Sequence, residues 1–175
     1  MPTTWNIDPV HTSIQFVVRH MMVSNVRGVF SKSKGTVTVP DSDLTRGQVE
    51  VEVDVTSLDT REPQRDTHLR SPDFLDAEKH PAIRFRSTAI TRAGAGYSMT
   101  GDLTVHGVTR PITLEVEPPA APAKDPWGGT RWGFEAHGEI NRKDYGLVWN
   151  QALETGGVLV GEKIKINLEV ELIQG

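Results

Sequence analysis

Apolar and polar residues alternate along most of this chain with a period of two. Valine alternates with acid from Val49 to Val55, and Ile83 and Phe85 alternate with Arg84 and Arg86. Ile112, Leu114 and Val116 alternate with Thr113, Glu115 and Glu117, and Ile164, Ile166, Leu168, Val170 and Leu172 do the same with polar neighbours. Successive side chains of an extended chain point to opposite faces, so each run predicts a strand with one wet and one apolar face. Thr12–Met21, Val26–Val39, Tyr97–Val105 and Trp132–Ile140 complete a set of about eight strands. The links between them are mostly too short for parallel crossovers, which makes the pairing mainly antiparallel. Ala93–Gly96 and His106–Pro111 read as hairpin loops, and the Pro/Ala/Gly-rich Glu117–Gly129 as a mobile loop inside one domain. Only Leu58–Pro81 breaks the pattern. There Thr60 is a candidate N-cap, Pro63 fits a first turn, and Arg65–Leu69 predicts a short helix ending before Ser71 and Pro72.

Eight strands with one apolar face each can pack as a sandwich or close as a barrel. Their length, and an insert able to serve as a lid or plug, favour the second: an all-β, eight-stranded antiparallel barrel with a short helical insert. Period two sends Ile14, Phe16 and Val18 inward from the first long strand, with His20 on the same face and Arg19 on the outer one. The other strands contribute Val49, Val51, Val53, Val55, Ile83, Phe85, Leu103, Val105, Ile112, Leu114, Phe134, Ile164, Ile166 and Leu168. Aromatic residues are 6% of the chain, and a lining of small branched side chains points to an apolar cavity.

At 175 residues, 37% hydrophobic and 24% charged, the chain fits a single folded domain spanning residues 1–175. A net charge of -4 leaves no basic field for nucleic acid. The absence of cysteine excludes disulfides, thiol catalysis and thiolate metal sites. The start "MPTTWNIDPVH" has no leader-like apolar core, and no run is long and apolar enough for a transmembrane segment. The expectation is a cytoplasmic protein, or a periplasmic or secreted one had a leader been removed. The six histidines show no paired ligand spacing, so no metal or cofactor is expected. Asp8, His11 and Ser13 are too close in sequence for an assembled hydrolytic triad, and no catalytic residue is assigned. Asp66 and Arg70, four apart, are expected to pair on the helix surface.

Several blocks carry a resemblance. "DPVHTSIQFVVRH", "VRGVFSKSKGTV", "DVTSLDTREPQRDTHLRSPDFLDAEKHPAIRFRS", "MTGDLTVHGVTRPITLEV" and "NRKDYGLVWN" follow one another as in the YceI-like family of bacterial proteins, which the chain resembles from about Thr4 to Leu172. The resemblance implies a lipocalin-like barrel, homodimers in many members, and a long amphiphile in the interior: a polyisoprenoid, isoprenoid quinone or fatty-acid derivative. On that implication the tunnel wall is Ile14, Phe16, Val18, Val51, Val53, Phe85, Leu103, Leu114, Phe134 and Ile166. A polar head cannot follow an apolar tail into hydrocarbon without partners. Arg19 and His20, with Arg65 and His68 on the insert, are the candidates for holding it, with His11 as a further one, and Arg19 has pairing with Asp66 or another carboxylate as its alternative role. Two other functions stay open: a barrel filled by its own side chains, with a structural or stress role, and an enzyme acting on the lipid head through His20 or His68.

Overall fold

The computed structural model describes residues 2–150 and 159–175. Its strands are β1 (Pro2–Ile7), β2 (Ser13–His20), β3 (Ser24–Phe30), β4 (Ser33–Pro40), β5 (Gln48–Asp54) and the short β6 (Leu58–Asp59). After helix α1 (Pro63–Arg70) come β7 (Ala82–Ala93), β8 (Gly96–Val105), β9 (Val108–Val116), the short β10 (Ala123–Lys124), β11 (Thr130–Asn141) and β12 (Val160–Gln174). Neighbours pair antiparallel around a closed ring, β4-β5-β7-β8-β9-β11-β12-β1 and back to β4. This is the eight-stranded antiparallel barrel expected from the alternation. β12 closes it, pairing along one edge with β11 from Arg131↔Ile173 to Asn141↔Lys163. Its other edge is shared, by β2 through Ile14↔Leu168 and by β1 through Ile7↔Leu172. β1 with β2, and β4 with β3, therefore act as two long bent staves.

The bends explain two departures from the sequence expectation. Val26–Val39 is not one strand. At Ser31 and Lys32 the backbone turns aside, the Ser31 N–H donating to the Ser57 carbonyl at 3.3 Å and the Lys32 carbonyl accepting from Asp54 at 3.0 Å. β1 was not anticipated because Pro2, Thr3 and Thr4 give its first half no apolar alternation; only Trp5 and Ile7 are buried.

The helix also differs in its cap. Glu62, not Thr60, caps α1, its carboxylate accepting from the Gln64 and Arg65 N–H groups at 3.3 and 2.7 Å. Thr60 is buried and donates instead, from its backbone N–H and its hydroxyl, to the Asp66 carboxylate. The expected surface pair of Asp66 with Arg70 is therefore absent: Asp66 is buried, and Arg70 donates to the Leu58 carbonyl at 3.3 Å. A short carboxylate pointing back toward its own N-terminal loop finds nearer donors there than four residues along the helix.

Strand registers place α1, the β8–β9 hairpin and the start of β12 at one end of the barrel, hereafter the insert end. The far end is closed by Trp5, Val39, Leu44 and Leu172, all buried in one cluster. Arg131 fastens it from outside, its guanidinium 2.7 Å from Asp8, 2.7 Å from Asp125 and 2.8 Å from Glu171. Glu117–Gly129, expected to be mobile, is tied down at several points: β10 pairs with β11, and the Trp132 indole donates to the Ala120 carbonyl at 2.8 Å.

Candidate functional site

The apolar faces of the strands enclose a cavity of about 290 Å³, close to the lower limit of small-molecule pockets. All ten positions expected on the tunnel wall line it. Of the wider inward set only Val55 does not, because it leaves β5 for a 3-10 turn and is buried against the insert. Wall residues such as Ile14, Phe16, Val51, Ile166 and Leu168 are half-buried rather than buried, although they point into the barrel. A core that filled itself would bury them; these keep accessible surface that faces the cavity.

Two glycines make room for the rings of two wall phenylalanines. Phe16 pairs across from Gly28 and Phe85 leans over Gly101, and at either glycine a Cβ would collide with the ring. Each ring thus occupies space over a glycine that a side chain there would otherwise take.

Among the described residues the wall has one charged member, Arg142, at the insert end. It is 2% exposed. Its guanidinium donates to the carbonyls of Gly161 at 2.8 Å, Leu147 at 2.6 Å, Trp149 at 2.9 Å and Val160 at 3.2 Å. Burial pulls its pKa down, opposed only weakly by Glu162, yet an arginine keeps its charge at neutral pH. Arg142 thus places a positive charge, satisfied by dipoles and not by a carboxylate, beside an apolar cavity. Sequence reading missed it because nothing local separates it from a surface arginine; its position after a strand, in the "NRKDYG" turn, was the available signal.

Four of the polar candidates sit at the insert end, but they differ in availability. Arg19 is exposed on the outer face and donates to the Met22 carbonyl at 3.1 Å and to Asn25 at 3.4 Å, not to Asp66. Arg65 is held by Thr60, through Nε to the hydroxyl at 2.8 Å and a terminal nitrogen to the carbonyl at 2.7 Å. His68 contacts Asp73 through Nε2 at 3.0 Å, and its ring meets those of Phe74 and Trp149 edge-on with centroids 5.1 and 4.7 Å away. His20 is half-buried at the end of β2, opposite Val160. Phe74 and Val160 line the cavity, so His68 and His20 lie next to its wall while Arg19 and Arg65 are engaged elsewhere.

This combination of a closed barrel, an apolar cavity and a helical insert coincides with a match to the YceI-like domain over residues 5–172. The chain belongs to the YceI-like family. It is 40% identical over 137 residues to a UPF0312 protein of Serratia proteamaculans (strain 568), covering 78% of this chain and 71% of that protein. It is 41% identical over 137 residues to Protein YceI of Escherichia coli O157:H7, with the same coverage of 78% and 71%. A YceI protein of Campylobacter jejuni superposes with a TM-score of 0.72 at 28% identity, over 87% of each chain. BcnA of Burkholderia cenocepacia gives a TM-score of 0.79 at 23% identity, over 94% of this chain and 98% of that one. A polyisoprenoid binding domain from Saccharophagus degradans, implicated in plant cell wall breakdown, gives 0.69 at 14% identity, over 98% of both. At such low identity the last two speak for the fold alone.

In this YceI-like chain two groups of side chains have the composition of a metal site, Asp8 with His11 and Glu171, and Asp76 with His80 and His106. The first already holds a cation, since the Arg131 guanidinium lies between Asp8 and Glu171. The hydrogen bond from His11 at 2.7 Å, ahead of that from Arg131, holds the Asp8 carboxyl down at about 2 against the effect of burial. Ser13 pairs only as a strand residue, so Asp8 and His11 serve the far end of the fold and not a triad. Among the described residues no helix is long and apolar enough to cross a membrane.

Proposed function

We propose that the barrel binds one long-chain amphiphilic lipid, of polyisoprenoid, isoprenoid quinone or fatty-acyl type, and acts as its carrier or sequestering protein. The observation that carries this reading is the accessible apolar wall: inward-pointing residues with surface left over for a ligand. Each methylene buried there contributes about 0.8 kcal/mol, roughly fourfold in Kd. The tail lies along the axis toward the far end, and the head stays at the insert end near Arg142, His20 and His68. The Arg142 charge, its donors held by carbonyls, favours an anionic head, a carboxylate or a pyrophosphate, through its field rather than by a direct hydrogen bond. An isoprenoid, the tail class that the family resemblance implies, is the one to test first. The polar members of the wall, among the described residues, are Gln15, Tyr97 and Arg142, and they include no hydrogen-bonded nucleophile–base pair, which favours binding without chemistry.

A displacement titration tests this. An environment-sensitive fluorescent fatty acid is competed with saturated acids and polyprenyl phosphates of increasing length. Affinity is expected to rise with each added carbon until the cavity is full and then level off. Competition that ignores tail length would overturn the assignment.

A further inference from the structure

We propose that Asp76, His80 and His106 form a binding site for a divalent transition-metal ion of the zinc class. The three residues come from two separate parts of the insert end. Asp76 and His80 share a tight turn after α1, in which the His80 N–H donates to the Asp76 carbonyl at 2.8 Å. His106 stands at the tip of the β8–β9 hairpin, with φ of 54°. One donor atom from each lies within 4.8 Å of the others, and all three residues are half-buried.

The orientation of the rings favours ligation. His106 Nδ1 is 3.2 Å from the Tyr145 carbonyl, which can only accept, so Nδ1 carries a proton and Nε2 is the nitrogen left to ligate a metal in the neutral ring. A histidine fixed in this way by a backbone carbonyl is the usual metal-ligating arrangement. The His80 ring passes over Gly107, where a Cβ would lie 2.8 Å from its Cε1, and meets the His106 ring at 71° with centroids 5.0 Å apart. Among the described residues, neither the Asp76 carboxylate nor the His80 ring has a hydrogen-bond partner. Two imidazoles and a carboxylate suit zinc, with bonds of about 2.0–2.1 Å, and leave a fourth position for water. Such an ion holds its ligands roughly 3.3 Å apart, so the three donor atoms, all within 4.8 Å of one another, have at most about 1.5 Å to close.

The ion joins the Ser71–Pro81 segment, which presents Phe74 and Leu75 to the cavity, to the hairpin and through Tyr145 to the turn that carries Arg142. It thereby fixes one side of the insert end. The group around Asp8 lacks this character, because Arg131 already supplies its positive charge.

Chelator-treated protein titrated calorimetrically with zinc sulfate, without lipid, tests the site. One ion per chain is expected, bound in the micromolar range or tighter, with slower proteolysis of the Ser71–Pro81 segment. His80→Gln and Asp76→Asn are each expected to weaken binding at least tenfold. Asp76 has φ of 49°, which asparagine tolerates, so that variant retains the turn. Failure of the unmodified chain to take up a stoichiometric ion, or uptake unchanged in both variants, would overturn the proposal. The lipid reading plays no part in either result.

Discussion

Replacing Ile166 with tryptophan separates an open barrel from a filled one. Ile166 sits midway along β12, opposite Phe16 on one side and Gly138 on the other, and it is half-buried on the cavity wall. An indole adds about six non-hydrogen atoms, each occupying roughly the room of one methylene at interior packing density. If half of that volume falls where a tail would lie, three methylenes are excluded, about 2.4 kcal/mol or roughly 60-fold in Kd. Only tails long enough to reach Ile166 lose this; shorter ones bind as before. The folded protein should tolerate the change within about 1 kcal/mol, because the added atoms enter existing space, whereas overpacking a filled core costs about 1–3 kcal/mol. Competition binding over a series of alkyl lengths and urea unfolding measure the two quantities. Equal loss at every length, or destabilisation above about 2 kcal/mol with no binding to lose, would refute the reasoning.

Other expectations concern the groups that hold the site. Arg142→Met takes a donor from four carbonyls, of which, among the described residues, only that of Val160 keeps a side-chain donor, the Asn150 amide at 2.7 Å, and should cost at least about 3 kcal/mol by chemical denaturation; a cost below about 1 would mean that solvent replaces the guanidinium. The Tyr145 hydroxyl is buried without a partner among the described residues, and burial pushes its pKa up to about 12. Tyr145→Phe should therefore keep or raise stability by up to about 1 kcal/mol, and a clear loss in melting temperature would reveal a bond to that hydroxyl. Asp8 has a folded pKa depressed from 3.8 to about 2, so its contribution is present above about 4 and disappears as pH falls through about 2. Acid unfolding of Asp8→Asn should be shallower than that of the unmodified chain across this window, and parallel curves would contradict the assignment.

What was legible in the sequence was whatever depends on period two. Ile14, Phe16 and Val18, or Ile164, Ile166 and Leu168, reach the cavity because a strand with one wet face leaves their side chains no other direction. Local choices among equivalent partners were harder to read. Glu62 and Thr60 are both able to cap α1, and only the packing of the insert makes Thr60 a buried donor to Asp66. Long-range convergence left no local trace. Asp76, His80 and His106 look unrelated along the chain, and Arg142 resembles any arginine after a strand, until closure of the barrel brings the β8–β9 hairpin, the post-helix turn and the start of β12 to one end. Arg19 and Arg65 stand at the same end of the barrel with part of their hydrogen-bonding capacity engaged by neighbouring loops.

The most direct test of the lipid-carrier reading is native mass spectrometry of protein purified from its own host, followed by extraction and identification of whatever accompanies it. A single long-chain lipid per barrel, retained in the gas phase and released on unfolding, is the expected result. Bare chain that also takes up neither isoprenoid quinones nor fatty acids would contradict it, and the cavity would then be a property of packing without a ligand.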